Sequence, residues 1–349
     1  MIKRHIYAII CLFFISQSFA QPIQELSSGG KISLRGLSVV NDKVVWVSGS
    51  KGTVGKSIDG GKTWKWIKVK GYKKCDFRDI EAFDENTAII MAVASPAYIL
   101  KTTDGGKKWK KVYENKTKGM FLDAMDFSDE KNGYVIGDPI KGVFYIAKTT
   151  NGGDSWIETY SGGGPADSSE ACFASSGTNI RMLNDRFVYV SGGNSSNFFF
   201  NRKGNDIFLD LFGNTQSLLD KYKLPIIQGT SSTGANSIAI KDSLTYIVVG
   251  GDFTNDSATP NCAITTDGGK TWTLPTTPPT GYKSCVEYLY GNIWVCCGLT
   301  GIDVSNDNGM TWKNISKESY HTCRRAKKSN AVYFSGNGSR IGCFATRSR

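Results

Sequence analysis

Thr265-Thr266-Asp267-Gly268-Gly269-Lys270-Thr271-Trp272 decides the fold, because the chain carries it five times. Ser57 to Trp64, Thr102 to Trp109, Thr149 to Trp156 and Ser305 to Trp312 keep the same order. A hydroxyl residue comes first, Asp or Asn third, glycine fifth and tryptophan eighth. The tryptophans lie 45, 47, 116 and 40 residues apart. A recurring spacing of this size with a turn signature marks a repeat architecture, and short strands at that period build propeller blades.

The residue types explain the phrase. Asp or Asn before Gly, between β-rich runs, is a hairpin signal. Glycine accepts positive φ, and the Asx side chain bonds nearby backbone N–H groups. The tryptophan covers the hairpin with a large apolar face while its N–H seeks an acceptor. The pattern resembles the Asp-box, or BNR repeat. That resemblance implies a turn between the third and fourth strands of a blade, structural in role and remote from the ligand-binding mouth. Asp59, Trp64, Asp104, Trp109, Asn151, Trp156, Asp267, Trp272, Asp307 and Trp312 are therefore expected to hold the fold.

Each phrase follows a run of strand-like segments, which divides the chain into units near 32–70, 76–115, 120–161, 171–222, 228–276 and 281–316. The fourth has a degraded phrase near Asn201 to Phe208 and no tryptophan. A last unit, near 320–349, stops before any phrase, and Pro22 to Ser28 has no unit of its own. The reading is an all-β, seven-bladed propeller whose N-terminal strand completes the seventh blade, since closure removes exposed edges. Six blades is the alternative, if the fourth and fifth units share one.

The N-terminus reads as a secretory signal over residues 1–20, leaving one propeller domain over 21–349. Lys3 and Arg4 precede an apolar core from Ile6 to Ile15, too short to span a bilayer, and Ser18-Phe19-Ala20 offers a cleavage site. The expectation is an exported monomer, periplasmic or secreted, without a membrane span. The net charge of +11 reads either as a solvated surface or as attraction to acidic lipids, glycans or proteins. No nucleic-acid module is present. Eight cysteines follow the signal, an even number in an oxidising compartment, so disulfides are plausible with unknown connectivity. No C-x-x-C occurs, and only His321 survives cleavage, so neither a redox motif nor a histidine-rich metal site is expected and no cofactor is implied. Cys296 and Cys297 are adjacent on a strand and point to opposite faces.

Aligning the units on the first apolar residue of the inner strand places Arg35, Arg78, Asp123, Thr178, Asn236, Ser284 and Thr322 two positions earlier. All are polar, and they predict a ring at one mouth of the channel. Arg35 and Arg78, in neighbouring blades, suit a carboxylate, phosphate or sulfate. A hydrated channel satisfied by its own polar groups is the competing reading. Asp79 and Asn179 lie one position further on. Glu170, Asp252, Tyr282, Tyr320 and the loops at Gly137, Gly192, Gly250 and Gly298 are further candidates for the mouth, the loops reading equally as tight turns.

Longer strings resemble photosystem II stability/assembly factor (Ycf48-like) propellers, in their exported bacterial branch. They include Val45-Trp46-Val47-Ser48-Gly49, Asp76-Phe77-Arg78-Asp79-Ile80, Ala174-Ser175-Ser176-Gly177-Thr178-Asn179 and Gly281-Tyr282-Lys283-Ser284-Cys285-Val286. The resemblance implies a binding or assembly propeller, with an envelope or secreted protein, or an anionic glycan, as partner. Asp-box sialidases give the alternative, a glycan-active hydrolase. It would use Arg35, Arg78 and Arg324 as an arginine triad and Tyr282 or Tyr320 with Glu170 as the nucleophile pair, although the sialidase Arg-Ile-Pro phrase is absent.

Overall fold

Val, Ile, Phe and Tyr dominate the runs between the Gly/Asx turns, and each run pairs with the next in sequence. The computed structural model describes residues 23–159, 163–184, 186–201 and 219–344. The signal-like segment and most of the degraded fourth phrase lie outside them. Seven antiparallel sheets form, so the count is seven and not six. Blades 1 to 6 cover 34–68, 77–115, 122–158, 180–223, 233–265 and 285–316. Blade 7 takes three strands from 322–344 and its outer strand from Ile23–Ser27, with Ile23 opposite Phe344 and Gln24 opposite Cys343. The ring is closed by the N-terminal strand, as the unassigned Pro22 to Ser28 segment predicts. Blade 5 is irregular. Two short strands, Glu170–Ala171 and Gly192–Gly193, extend its sheet, and its fourth strand shrinks to one bridge between Ile264 and Thr273.

The core lies between blades. Second strands are buried on both faces and so read as continuous apolar runs, as in Ala88-Ile89-Ile90-Met91-Ala92. Trp46 of blade 1 packs with Phe77, Ile90 and Leu100 of blade 2. Cys296 packs toward blade 5 and Cys297 toward blade 7, the opposite faces expected of strand neighbours. The plausible disulfides do not form, and all eight described cysteines are free. Six are buried and behave as small apolar residues. Among the described residues no helix is long and apolar enough to cross a membrane.

The repeated phrase folds as a cage of local bonds. In the first copy, Ser57 Oγ accepts from Gly61 N–H at 2.8 Å and Asp59 Oδ1 from Thr63 N–H at 2.9 Å. Trp64 Nε1 donates to Gly61 O at 2.9 Å. The Thr63 hydroxyl, the Thr63 N–H and the Ser57 hydroxyl, all donating to Asp59, hold its carboxyl down at about 2. The second glycine has two reasons to lack a side chain. Its φ is positive, and a Cβ there would strike the preceding blade: Leu26 at Gly61, Ile67 at Gly106, Phe198 at Gly269. The phrase thus makes a hairpin and a blade-to-blade joint at once. It follows the third strand, which runs parallel to the inner strand, so all five copies sit where inner strands end. The opposite face, where inner strands begin, is called upper here.

Candidate functional site

The inner strands carry a defect at one height. Leu34 pairs with Gly49 and Gly36 with Ser48, which leaves Arg35 unpaired. The same slip leaves out Arg78 in blade 2, Asp123 in blade 3 and Asn236 in blade 5. A bulge bends the strand and re-aims the extra side chain. These four bulged residues belong to the polar set that the sequence alignment picks out.

Blade 4 carries a far larger bulge at that height. Ala171 still pairs with Gly192, and Ile180 pairs with Tyr189, so 172–179 loop out between them. The loop enters the channel and bonds to the surrounding blades. Ser175 Oγ donates to Asn236 Oδ1 at 2.7 Å, Ser176 Oγ to Ser284 O at 2.7 Å, and Ile238 N–H to Thr178 O at 3.0 Å. Arg35 Nη1 reaches Ser175 O at 3.2 Å from above, and Arg324 Nη2 reaches Gly177 O at 2.8 Å. The channel inside the polar ring is therefore plugged, with a cup at each end. Thr178 and Thr322 are buried in the plug and its socket.

The upper cup has a volume of about 340 Å³. Arg35, Arg78 and His321 form one wall, and Phe173, Phe253 and Tyr282 the other. Arg78 Nε binds Asp76 at 2.8 Å. Among the described residues Arg35 has a backbone carbonyl and no carboxylate as partner. Burial and the neighbouring Arg78 guanidinium both lower the Arg35 pKa. Burial, then the two arginines, push His321 down to about 3, so the ring is neutral at pH 7. The opposite wall is built from edge-on rings, Phe173 on Phe253 at 6.1 Å and Phe253 on Tyr282 at 6.2 Å. Tyr282 is fixed by a 2.8 Å bond from its hydroxyl to Asn236 Oδ1. The cup thus offers an under-neutralised cation beside an aromatic surface.

Of the sequence candidates, Arg35, Arg78, Asn236, Tyr282 and Ser284 line this cup. The others do not, for separate reasons. Asp79 is buried below the plug, where its carboxylate accepts from Ile80 N–H at 2.8 Å and Met125 N–H at 2.7 Å. Burial raises it to about 8 against the pull of Arg324. Asp123 is fully buried, and burial with nearby Asp138 raises its carboxyl well above the usual range. Asn179 is buried at the foot of the loop. Glu170 is engaged at the junction of blades 4 and 5, ion-paired to Lys221 at 2.9 Å and accepting from Asn197 Nδ2 at 2.8 Å. Asp252 closes its own turn on Thr254 N–H at 2.9 Å. The glycine loops serve packing: a Cβ at Gly298 would strike Tyr282 O, and one at Gly192 would strike Phe173. His321, Phe173 and Phe253 were absent from the sequence set. The one usable signal was apolar Phe173 standing before a run of small polar residues.

The hydrolase constellation is not assembled. Arg324 lies below the plug, lining the lower cup with Arg181, Asp126 and Glu287. Tyr320 is buried in the core of blade 7, and Glu170 is engaged with Lys221. Among the described residues no cluster of His, Cys, Asp and Glu is placed to hold a metal.

Seven closed blades with five caged turns define an Asp-box (BNR-type) β-propeller, and the BNR/Asp-box repeat description matches residues 263–274. The description "Photosynthesis system II assembly factor YCF48" matches residues 31–120. Among solved structures, "YCF48 bound to D1 peptide" superposes with a TM-score of 0.63 at 15% identity, covering 93% of this chain and 96% of that one. YCF48 from Cyanidioschyzon merolae gives 0.60 at 15%, over 92% and 98%. The Neurospora crassa Pan2 WD40 domain gives 0.59 at 10%, over 93% and 96%. No curated protein matches the sequence. The chain is a BNR-type propeller that resembles YCF48; at these identities the likeness of the solved structures is one of fold.

Proposed function

We propose that the protein is an exported binding or assembly propeller. It holds a segment of a partner protein at the upper cup, with an anionic group of that segment between Arg35 and Arg78. The observation that carries this reading is the Arg35 guanidinium, which is partly buried, crowded by a second guanidinium and, among the described residues, bonded to a backbone carbonyl and to no carboxylate. An entering anion relieves that repulsion and takes charge-assisted bonds from both arginines. The aromatic wall supplies apolar area for a neighbouring side chain. The YCF48 structure solved with a D1 peptide supports a peptide as the ligand class on this fold. The signal-like N-terminus supports export. Chemistry on the ligand is not required, since the hydrolase residues stand apart.

The test is crosslinking capture of the mature protein from its own envelope extract, beside an Arg35→Ala/Arg78→Ala variant. One stoichiometric protein, crosslinked near the cup and lost in the variant, is the expected result. Retention of that protein by the variant, or capture of an anionic glycan alone, overturns the reading.

A further inference from the structure

The upper face of blades 1 to 3 carries an excess of positive charge. Lys51, Lys70, Lys73, Lys74, Lys118 and Lys141 are exposed on its turns, and none has a carboxylate partner among the described residues. The acids there are already engaged. Asp76 binds Arg78, Glu114 binds Lys111 and Lys116, and Asp138 accepts from Cys172 N–H. Lys51 also crowds Lys68, whose pKa is lowered by burial and then by that like charge. The other half of the face is balanced or acidic: Lys221 meets Asp167 and Glu170, Arg340 meets Glu318, and Asp252 and Asp256 lie in the blade 5 loop.

The lysines border a path. The 69–75 loop is tied to the Lys51 turn by Gly52 N–H on Cys75 O at 2.8 Å. The 116–121 loop is tied to the short upper turn of blade 2 by Leu122 N–H on Val93 O at 3.1 Å. That turn therefore runs between two lysine-bearing loops, and Arg78 stands at its inner end with its guanidinium 5.8 Å from the Phe121 ring centre. Strands about 4.8 Å apart make a four-stranded blade about 14 Å deep, the reach of about four extended residues.

We infer that the bound segment is acidic over the residues next to its anchored group, and that these residues cross the top of blade 2 between the two lysine loops. This rests on the upper cup being the anchor. A polypeptide fits better than a bilayer, because a flat anionic surface would also press on Asp252 and Asp256, whereas a chain leaving the cup over blade 2 meets lysines and the already paired Asp76 and Glu114.

The probe is a fluorescein-labelled peptide of four glutamates followed by phenylalanine with a free carboxylate, compared with its four-glutamine counterpart. Fluorescence anisotropy is expected to give about tenfold tighter binding of the glutamate peptide at low salt, from several exposed ion pairs acting together. Half-molar salt is expected to erase that preference. Lys73→Gln/Lys74→Gln/Lys118→Gln is expected to shrink it below about threefold. Equal binding of the two peptides, no binding of the glutamate peptide, or a preference that survives the triple variant overturns the inference. So does lysine-dependent binding to vesicles with 30% anionic lipid without discrimination between peptides. Arg35→Ala reads the anchor separately. If the glutamate preference persists and Arg35→Ala changes neither peptide, the anchor reading fails and the lysine path stands. If Arg35→Ala weakens both peptides equally and glutamate is not preferred, the path fails and the anchor stands.

Discussion

Replacing Gly177 by alanine tests whether the loop of blade 4 truly fills the channel. Gly177 has φ +65°, and a Cβ there falls within 2.6 Å of Asp79 Oδ2. The left-handed backbone alone costs an alanine about 1–2 kcal/mol. Asp79 has no room to retreat, because its carboxylate is buried and holds both Ile80 N–H and Met125 N–H. Overpacking of this kind adds about 1–3 kcal/mol, so the total loss is about 2–5 kcal/mol. Gly71→Ala is the control, since Gly71 also has positive φ (+87°) but nothing within 4 Å of the added carbon. Urea unfolding at unchanged m value reads both. Gly177→Ala is expected to lose at least about 1 kcal/mol more than the control, and Asp79→Ala is expected to rescue part of that excess, as coupled neighbours do. Equal losses in the two glycine variants, or strict additivity with Asp79→Ala, would refute the seating of the plug.

Other consequences follow from single groups. Trp64 Nε1 donates to Gly61 O, whereas Trp109 Nε1 is buried without a partner among the described residues, so Trp64→Phe is expected to cost about 1 kcal/mol more than Trp109→Phe in the same urea assay. Lys283 and Asp303 form a fully buried pair at 2.5 Å, and Lys283→Met is expected to lose about 3–5 kcal/mol by stranding the carboxylate; a loss below about 1 would contradict that burial. His321 is held near 3 when folded, so the unfolded chain takes up its proton first. Stability should therefore fall as pH drops below about 6.5 toward 3, by up to about 2 kcal/mol at pH 5, and His321→Asn should remove that slope from a pH series of melts. Asp123 has the opposite sign. Its raised folded pKa means that the native state keeps a proton the unfolded state has lost, so stability declines as pH rises above about 4. Asp123→Asn should gain on the wild type between pH 5 and pH 8, and a pH-independent difference would refute this.

Blade number and ring closure were readable because their causes are local or repetitive. Five tryptophans, 40–47 residues apart except across the degraded fourth unit, fix the outer hairpins, and an unassigned N-terminal segment with an incomplete last unit leaves closure as the way to hide both edges. The height of the mouth was readable too. A polar residue two places before the aligned apolar residue of the inner strand marks the bulge in four blades, although nothing local says that it is a bulge. Depth was not readable. Arg78 and Asp123 hold equivalent places in neighbouring blades, yet one lines the cup and the other is sealed beneath it. The difference is reach: arginine carries its charge at the end of a long apolar stem that clears the wall, while aspartate keeps its carboxyl against the backbone.

The plug was the least readable element, and it creates the site. Ala174-Ser175-Ser176-Gly177-Thr178 has the composition of a surface turn. Its burial is decided by acceptors and donors more than fifty residues away, on Asn236, Ser237, Ser284 and Arg324. An unplugged channel between seven blades would leave Arg35 hydrated from below, free to share its charge with water. With the loop in place, Arg35 stands on a protein floor, held by Ser175 O and pressed by Arg78. Removing the water below strengthens the repulsion between the guanidiniums, and the same low-dielectric setting strengthens the attraction of either for an anion arriving from above. The eight-residue bulge of blade 4 thus sets two arginines of neighbouring blades side by side over one protein floor.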